Sequence, residues 1–190
     1  MAVARTFEEL LVEQCAPTLA GVKPASLFRY QGAQAGEARR LADGWGRVLA
    51  PYGLTLRVLK TCQQTGACMI FLYRADRLRR ILTEPSNRRF LEERGYQPET
   101  NIVSVVEQLS RRLCMERDYP HEIGLFLGYP LEDVVGFIQN RGRNFTCCGC
   151  WKTYGDPSAA RLRFAQYRRC TDLYRERFRR GAGITELIPA

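Results

Sequence analysis

The chain carries one histidine, His121, and three lysines, Lys23, Lys60 and Lys152, in 190 residues. It has no run of about 20 apolar residues, the length a membrane-crossing helix needs, so no membrane insertion is expected. Its first residues, Met-Ala-Val-Ala-Arg-Thr-Phe-Glu-Glu, have no apolar stretch of the signal-peptide kind. A cytoplasmic protein is expected, with free thiols rather than a disulfide framework for its eight cysteines. There is no internal repeat and no low-complexity tract. No helix-turn-helix or RNP-like motif is present, which makes nucleic acid an unlikely partner. The cysteines form a single C-x-x-C spacing, Cys147-Cys-Gly-Cys150, without the second pair that a structural zinc site uses.

What is present is enough for one core. The chain is 45% hydrophobic, and one domain over residues 1–190 is expected. Thr6-Phe-Glu-Glu9 is a capping box, so a helix starts there with Phe7, Leu10 and Leu11 inward and ends near Cys15, before Pro17. Leu27–Tyr30 is a short strand. Residues 35–49 read as a helix with Leu41, Trp45, Val48 and Leu49 inward. Residues 54–60 and 67–73 pair as a β-hairpin across Gln63-Gln-Thr-Gly66. Residues 76–82 and 87–94 are helices parted by Pro85. Ile102, Val105, Val106, Leu109 and Leu113 share one helix face behind the cap candidates Thr100 and Asn101. Residues 123–127 read as a buried strand and Pro130 opens a helix with Leu131, Val134, Val135 and Ile138 inward, stopped at Gly142. A last helix, from about Pro157 to Arg180, turns Ala160, Phe164, Tyr167, Thr171, Tyr174 and Phe178 to one side, and the tail beyond it is extended. The class is α+β: six or seven helices on a small mixed sheet of roughly four strands.

Charge is unevenly placed. From Arg141 to Arg180 ten arginines and one lysine face three acids, a net +8 of the chain's +9. Such a field suits a phosphate-bearing or other anionic ligand, or an acidic protein docked on the last helix. In a chain this biased to arginine, a retained lysine marks places where a compact ammonium is useful.

The segment from Asp118 to Tyr154 gathers the rare residues: His121, Cys147, Cys148, Cys150 and Lys152. Three chemistries suit it. A thiolate at Cys148 near Arg141, Arg143 and Lys152, with His121 as base and Glu122 orienting it, would make a thiol-dependent enzyme. A strand–turn–helix unit bracketed by His121, Tyr129, Asn140 and Cys148 would hold an anion near the helix start. Separated Cys and His side chains could also act as soft metal ligands.

Pro120-His-Glu-Ile-Gly-Leu-Phe-Leu-Gly-Tyr-Pro-Leu-Glu-Asp-Val134, then Asn-Arg-Gly-Arg-Asn144 and Cys148-Gly-x-Trp-Lys-x-Tyr154, resemble a family of uncharacterised bacterial proteins common in anaerobic Firmicutes. Cys15-Ala-Pro-Thr-Leu-Ala-Gly-Val-Lys23 is similar to that family's N-terminal motif. The resemblance covers nearly the whole chain and carries no reaction with it. It implies that Cys15 and Cys148 are the motif thiols, the position of Cys150 often being aromatic, and that Lys23, His121, Glu122, Tyr129, Asn140, Trp151 and Lys152 belong to the motifs. It also implies a setting near flavodoxin and iron-transport genes, hence redox or metal homeostasis. The expectation is a pocket for a small-molecule, anionic or metal-cofactor ligand. Cys15, His121 and Cys148 would be thiols, base or metal ligands there. Lys23, Tyr129, Asn140, Trp151 and Lys152 would make further contacts. The alternatives are a module docking an acidic partner such as a flavodoxin, and a Cys148–His121 enzyme.

Overall fold

The structure, a computed structural model, describes residues 5–99, 101–115 and 119–189. Thr100 and Asp118 lie outside the described residues. The chain divides into two compact units, Met1–Ala75 with Cys170–Ala190, and Asp76–Arg169.

The first unit is built on a three-stranded antiparallel sheet. Helix α1 spans Phe7–Leu19, β1 Ala25–Tyr30, α2 Glu37–Leu49, β2 Leu54–Thr61 and β3 Cys68–Arg74. The strand order is β1-β3-β2. The capping box forms as expected, Thr6 accepting from the Glu9 amide and Glu9 from the Thr6 amide. The helix does not stop before Pro17 but runs on to Leu19. A proline in the last turn removes only one ladder bond, and its carbonyl closes the end by accepting from the Val22 and Lys23 amides. In α2 the inward face is Ala38, Ala42 and Leu49, and Val48 stands 45% exposed. The small alanines let the helix lie close to the sheet, and the larger Leu41 and Trp45 pack only at its margin.

The β2–β3 hairpin forms in register, Thr61 opposite Cys68. Strand β3 reads as an unbroken apolar run because both of its faces are covered. Cys68, Ile70 and Leu72 join a core with Phe7, Leu11, Cys15 and Phe28, and Phe71 and Tyr73, on the alternate face, are fully buried too. Near the end of the chain Thr185–Leu187 is a short 3-10 turn rather than an extended tail, because Leu187 turns into this core.

The second unit is mostly helical: α3 (Ala75–Leu82), α4 (Pro85–Glu92), α5 (Ile102–Met115), α6 (Ile123–Phe126), α7 (Leu131–Gln139) and the start of α8 (Pro157–Arg179). Between α7 and α8 lie two short antiparallel strands, β4 (Cys147–Cys148) and β5 (Lys152–Thr153). Both sheets are thus antiparallel, where a mixed one was expected. All five expected inward residues of α5 are buried, and the Asn101 side chain accepts from the Val103 amide at its start. The α8 stripe buries Ala160, Phe164 and Tyr174, with Tyr167, Thr171 and Phe178 half-buried.

Residues 123–127 are not a strand. They form the one-turn helix α6, in which Ile123, Gly124, Leu125 and Phe126 are all buried. A short continuous apolar run is compatible with either form. Here the Ile123 amide donates to the Pro120 carbonyl and Leu127 to Ile123, so the chain coils. Glu122, just before it, is locked in place. Its Oε1 accepts from Arg112 Nε at 2.8 Å and from the Tyr96 hydroxyl at 3.1 Å. In α7, Pro130 is the cap residue, one position before the expected first helical residue. Gly142 ends that turn with φ +72°, donating to the Phe137 carbonyl.

Candidate functional site

The β4–β5 hairpin is fastened to α7 by one carboxylate. Asp133, in the first turn of α7, is 2% exposed. Its Oδ2 accepts from the Trp151 indole N–H at 2.7 Å, and its Oδ1 from the amides of Tyr154 at 2.7 Å and Gly155 at 3.0 Å. A buried carboxylate needs such partners to offset its lost hydration. Trp151 is thereby fixed, stacked on Tyr129 with ring centroids 4.7 Å apart and edge-on to Phe164 at 4.5 Å. Phe164 lies so close to Gly149 that a Cβ there would strike the ring. Only glycine lets the hairpin sit down on α8 at this point.

Side chains alternate along a strand. Cys147 pairs with buried Thr153 and packs on the Trp151–Ala160–Phe164 cluster. Cys148 pairs with Lys152 on the other face. That face is one wall of a cavity of about 290 Å³ lined by His121, Ile123 and Gly124 near α6, by Tyr129, and by Asp133, Val134 and Phe137 of α7. Cys148, Cys150, Trp151 and Lys152 of the hairpin complete it.

Lys152 donates from Nζ to the Gly142 carbonyl at 2.7 Å and lies over the rings of Phe145 and Phe137, at 5.1 and 5.9 Å. An ammonium has three donors, and the carbonyl takes one. His121 is exposed at the rim, its ring 4.8 Å from Phe137 and 5.6 Å from Tyr119. Burial, helped by the neighbouring Cys150, Tyr167 and Tyr119, pushes the Tyr129 hydroxyl up to about 12. It is a neutral hydrogen-bonding group at ordinary pH.

Five residues singled out from the sequence thus meet at one cavity: His121, Tyr129, Cys148, Trp151 and Lys152. Others sit elsewhere. The Glu122 carboxylate is committed to Arg112 and Tyr96. Asn140 caps α7, donating to the Gly136 carbonyl at 2.8 Å and accepting from Asn144. Cys15 and Lys23 belong to the first unit. Cys15 is wholly buried in its core, and that burial pushes the thiol from an ordinary 9.0 up to about 12, outweighing the Lys23 charge and a Ser26 hydrogen bond. The thiol is therefore protonated throughout the physiological range.

Cys15 has a consequence for stability. Because the folded pKa is raised, the proton is held more tightly in the folded state. The resulting stability is complete below pH 9 and is lost as pH rises from about 9 toward 12. Cys15→Ala is expected to flatten that alkaline decline, whatever its offset at neutral pH, in urea unfolding measured from pH 8 to 11. An equally steep decline in the variant would exclude Cys15 as its source.

Asp133 and Phe137 also line the cavity, and neither stands out from the sequence pattern. Asp133 reads in sequence as one of two acids favouring the helix dipole, with Glu132. Its partner Trp151 lies 18 positions on. Among the described residues no group of three or more His, Cys, Asp or Glu side chains is placed to hold a metal ion. The cavity is lined by two thiols and one imidazole, and the Asp133 carboxylate on its wall is committed to Trp151, Tyr154 and Gly155, a donor set that does not fit a metal cofactor. No helix among the described residues is long and apolar enough to cross a membrane.

Fold and site together define a class: an α+β protein with a thiol-lined aromatic cavity beside a short hairpin. The chain belongs to the family described as protein of unknown function DUF3793, whose model matches residues 11–188. Comparison with the curated proteins and with the solved structures gave no match.

Proposed function

We propose that this protein binds a small, flat organic anion in the cavity of its second unit. The observation that carries the reading is the convergence of a lysine, a histidine and two thiols with a stacked Tyr129–Trp151 pair around one space. At about 290 Å³ the cavity is near the lower end of small-molecule pockets. Its walls are largely apolar and aromatic, with a few convergent polar groups, the usual make-up of a ligand site. A planar molecule would lie along Val134, Phe137 and the cavity-facing side of the aromatic pair. Its negative charge would meet Lys152, whose ammonium the Gly142 carbonyl and the two phenylalanine rings hold in place. The eight cysteines are all unbridged, which favours a reducing, cytoplasmic setting.

The test uses a Trp45→Phe background, leaving Trp151 as the sole tryptophan. The anionic probe 8-anilinonaphthalene-1-sulfonate should quench Trp151 emission on binding. Lys152→Met should weaken that binding about tenfold, the worth of one charge-assisted hydrogen bond. The neutral probe N-phenyl-1-naphthylamine should bind both proteins alike. Equal affinity of the sulfonate for the two proteins would overturn the assignment of Lys152 and of an anion.

A further inference from the structure

We infer that Cys148 and Cys150 form one dithiol that exchanges with low-molecular-weight disulfides, and that their oxidation closes the cavity. The second clause rests on the binding reading above; the first stands without it.

The eight thiols differ sharply in surroundings. Cys15 and Cys68 are buried. Cys147 and Cys170 are half-buried, the first against the Trp151 cluster and the second against the core of the first unit. Cys62 is half-buried, in the β2–β3 turn, and Cys114, Cys148 and Cys150 are exposed. Cys148 and Cys150 line the same cavity. Strand register explains why. Cys147 goes inward with Thr153, Cys148 goes to the cavity with Lys152, and Cys150 sits at the hairpin tip, where the Gly149 amide donates to the Trp151 carbonyl at 3.0 Å.

Two virtual bonds of about 3.8 Å, bent at such a tip, bring the flanking Cα atoms toward the range of about 4.4–6.8 Å that a disulfide spans. The main chain between the two cysteines cannot retreat, because Phe164 already presses on Gly149. Any bridge between them therefore forms on the cavity side, over Tyr129 and Lys152.

The chemistry balances with a small disulfide as oxidant. The Cys148 thiolate attacks one sulfur, forming a mixed disulfide and releasing one thiolate. The Cys150 thiolate then displaces the second, giving the Cys148–Cys150 bond. Two electrons pass from the cysteines to the small disulfide. The two protons the cysteines lose are taken up by the released thiolates.

Cys62 supplies an internal comparison. Hydrogen bonds from the Thr65 hydroxyl and the Thr65 and Gln64 amides, aided by Arg29, lower its pKa. Its thiolate can attack the same oxidant, but its hairpin neighbour Cys68 is buried and opposite Thr61. A mixed disulfide formed at Cys62 stays an adduct, whereas one formed at Cys148 is resolved.

The experiment treats the reduced full-length chain with oxidised glutathione under anaerobic conditions, quenches with iodoacetamide and maps the peptides by mass spectrometry. Alkylation should be lost at both Cys148 and Cys150, with no glutathione on either and the peptide lighter by two hydrogens. In Cys150→Ser, Cys148 should instead retain glutathione. Full alkylation of both residues, or a bridge to Cys147, would overturn the pair. Oxidised protein should bind 8-anilinonaphthalene-1-sulfonate at least about tenfold more weakly than reduced protein, and dithiothreitol should restore the affinity. Unchanged affinity in the bridged protein would overturn closure. Absence of probe binding to the reduced protein would overturn closure and the ligand reading together, with the disulfide map still deciding the dithiol.

Discussion

Replacing Asp133 by alanine is expected to lower the unfolding free energy of the second unit by about 3–5 kcal/mol. The carboxylate is nearly inaccessible and accepts three N–H groups, one from the indole of Trp151 and two from the main chain of Tyr154 and Gly155. Alanine removes every acceptor at once. Hydrogen bonds to a charged group are each worth about 1.5–3 kcal/mol, and a buried donor left alone costs about 1–3 kcal/mol. The expected total lies below the simple sum, because a hairpin released from α7 can reach water. Asp133→Asn separates charge from shape. Its amide oxygen can satisfy either the indole or the two amides, while its NH₂ faces the other donors, so a loss of roughly half is expected. Urea unfolding followed by Trp151 emission in the Trp45→Phe background measures both. A midpoint for Asp133→Ala equal to that of the parent would mean that the hairpin is held by its aromatic packing alone. The same variant should lose binding of the anionic probe, since Trp151 and Lys152 are carried on the released hairpin.

Local pattern was a good guide wherever the apolar residues of an element fall on one face. The α5 face from Ile102 to Leu113 and the α8 stripe from Ala160 to Phe178 follow directly from helical spacing, and the β2–β3 hairpin from its two apolar runs and glycine-containing link. It failed where the deciding contact came from elsewhere in the chain. Residues 123–127 look the same as a buried strand or a buried turn of helix. The helix is favoured by hydrogen bonds starting at Pro120 and by Gly124, beside which Val134 and Tyr129 close in. On α7 the expected stripe puts Leu131, Val135 and Ile138 inside. The structure leaves them half-buried and buries Asp133 with Val134. Hydrophobic spacing ranks a carboxylate as a surface residue. Nothing local in Leu-Glu-Asp-Val signals that Trp151 will reach back to it. At the cavity, rarity was the useful signal: the only histidine, one of three lysines and two of the eight cysteines meet there. Rarity does not separate a lining residue from a neighbour, and Glu122 and His121 are adjacent in sequence but serve different surroundings.

Glu122 leads to the second large effect. Arg112→Met is expected to cost about 2–3 kcal/mol, and Glu122→Gln distinctly less. The asymmetry comes from exposure: the Arg112 side chain is 29% exposed and that of Glu122 only 5%. Without its carboxylate, the guanidinium still donates to the Arg94 carbonyl at 2.9 Å and still touches water. Without its guanidinium, the carboxylate keeps, among the described residues, only the Tyr96 hydroxyl in a site that water scarcely reaches. Removing one member of a buried pair costs more than the pair contributes, because the survivor keeps its desolvation penalty. Adding Glu122→Gln to Arg112→Met should restore most of the stability at neutral pH, giving a coupling of about 1–2 kcal/mol in a double-mutant cycle. Strictly additive losses would show that the two side chains act separately. In that case the position of α6, and of Ile123 and Gly124 on the cavity wall, would depend on the apolar burial of Leu125 and Phe126 rather than on this ion pair.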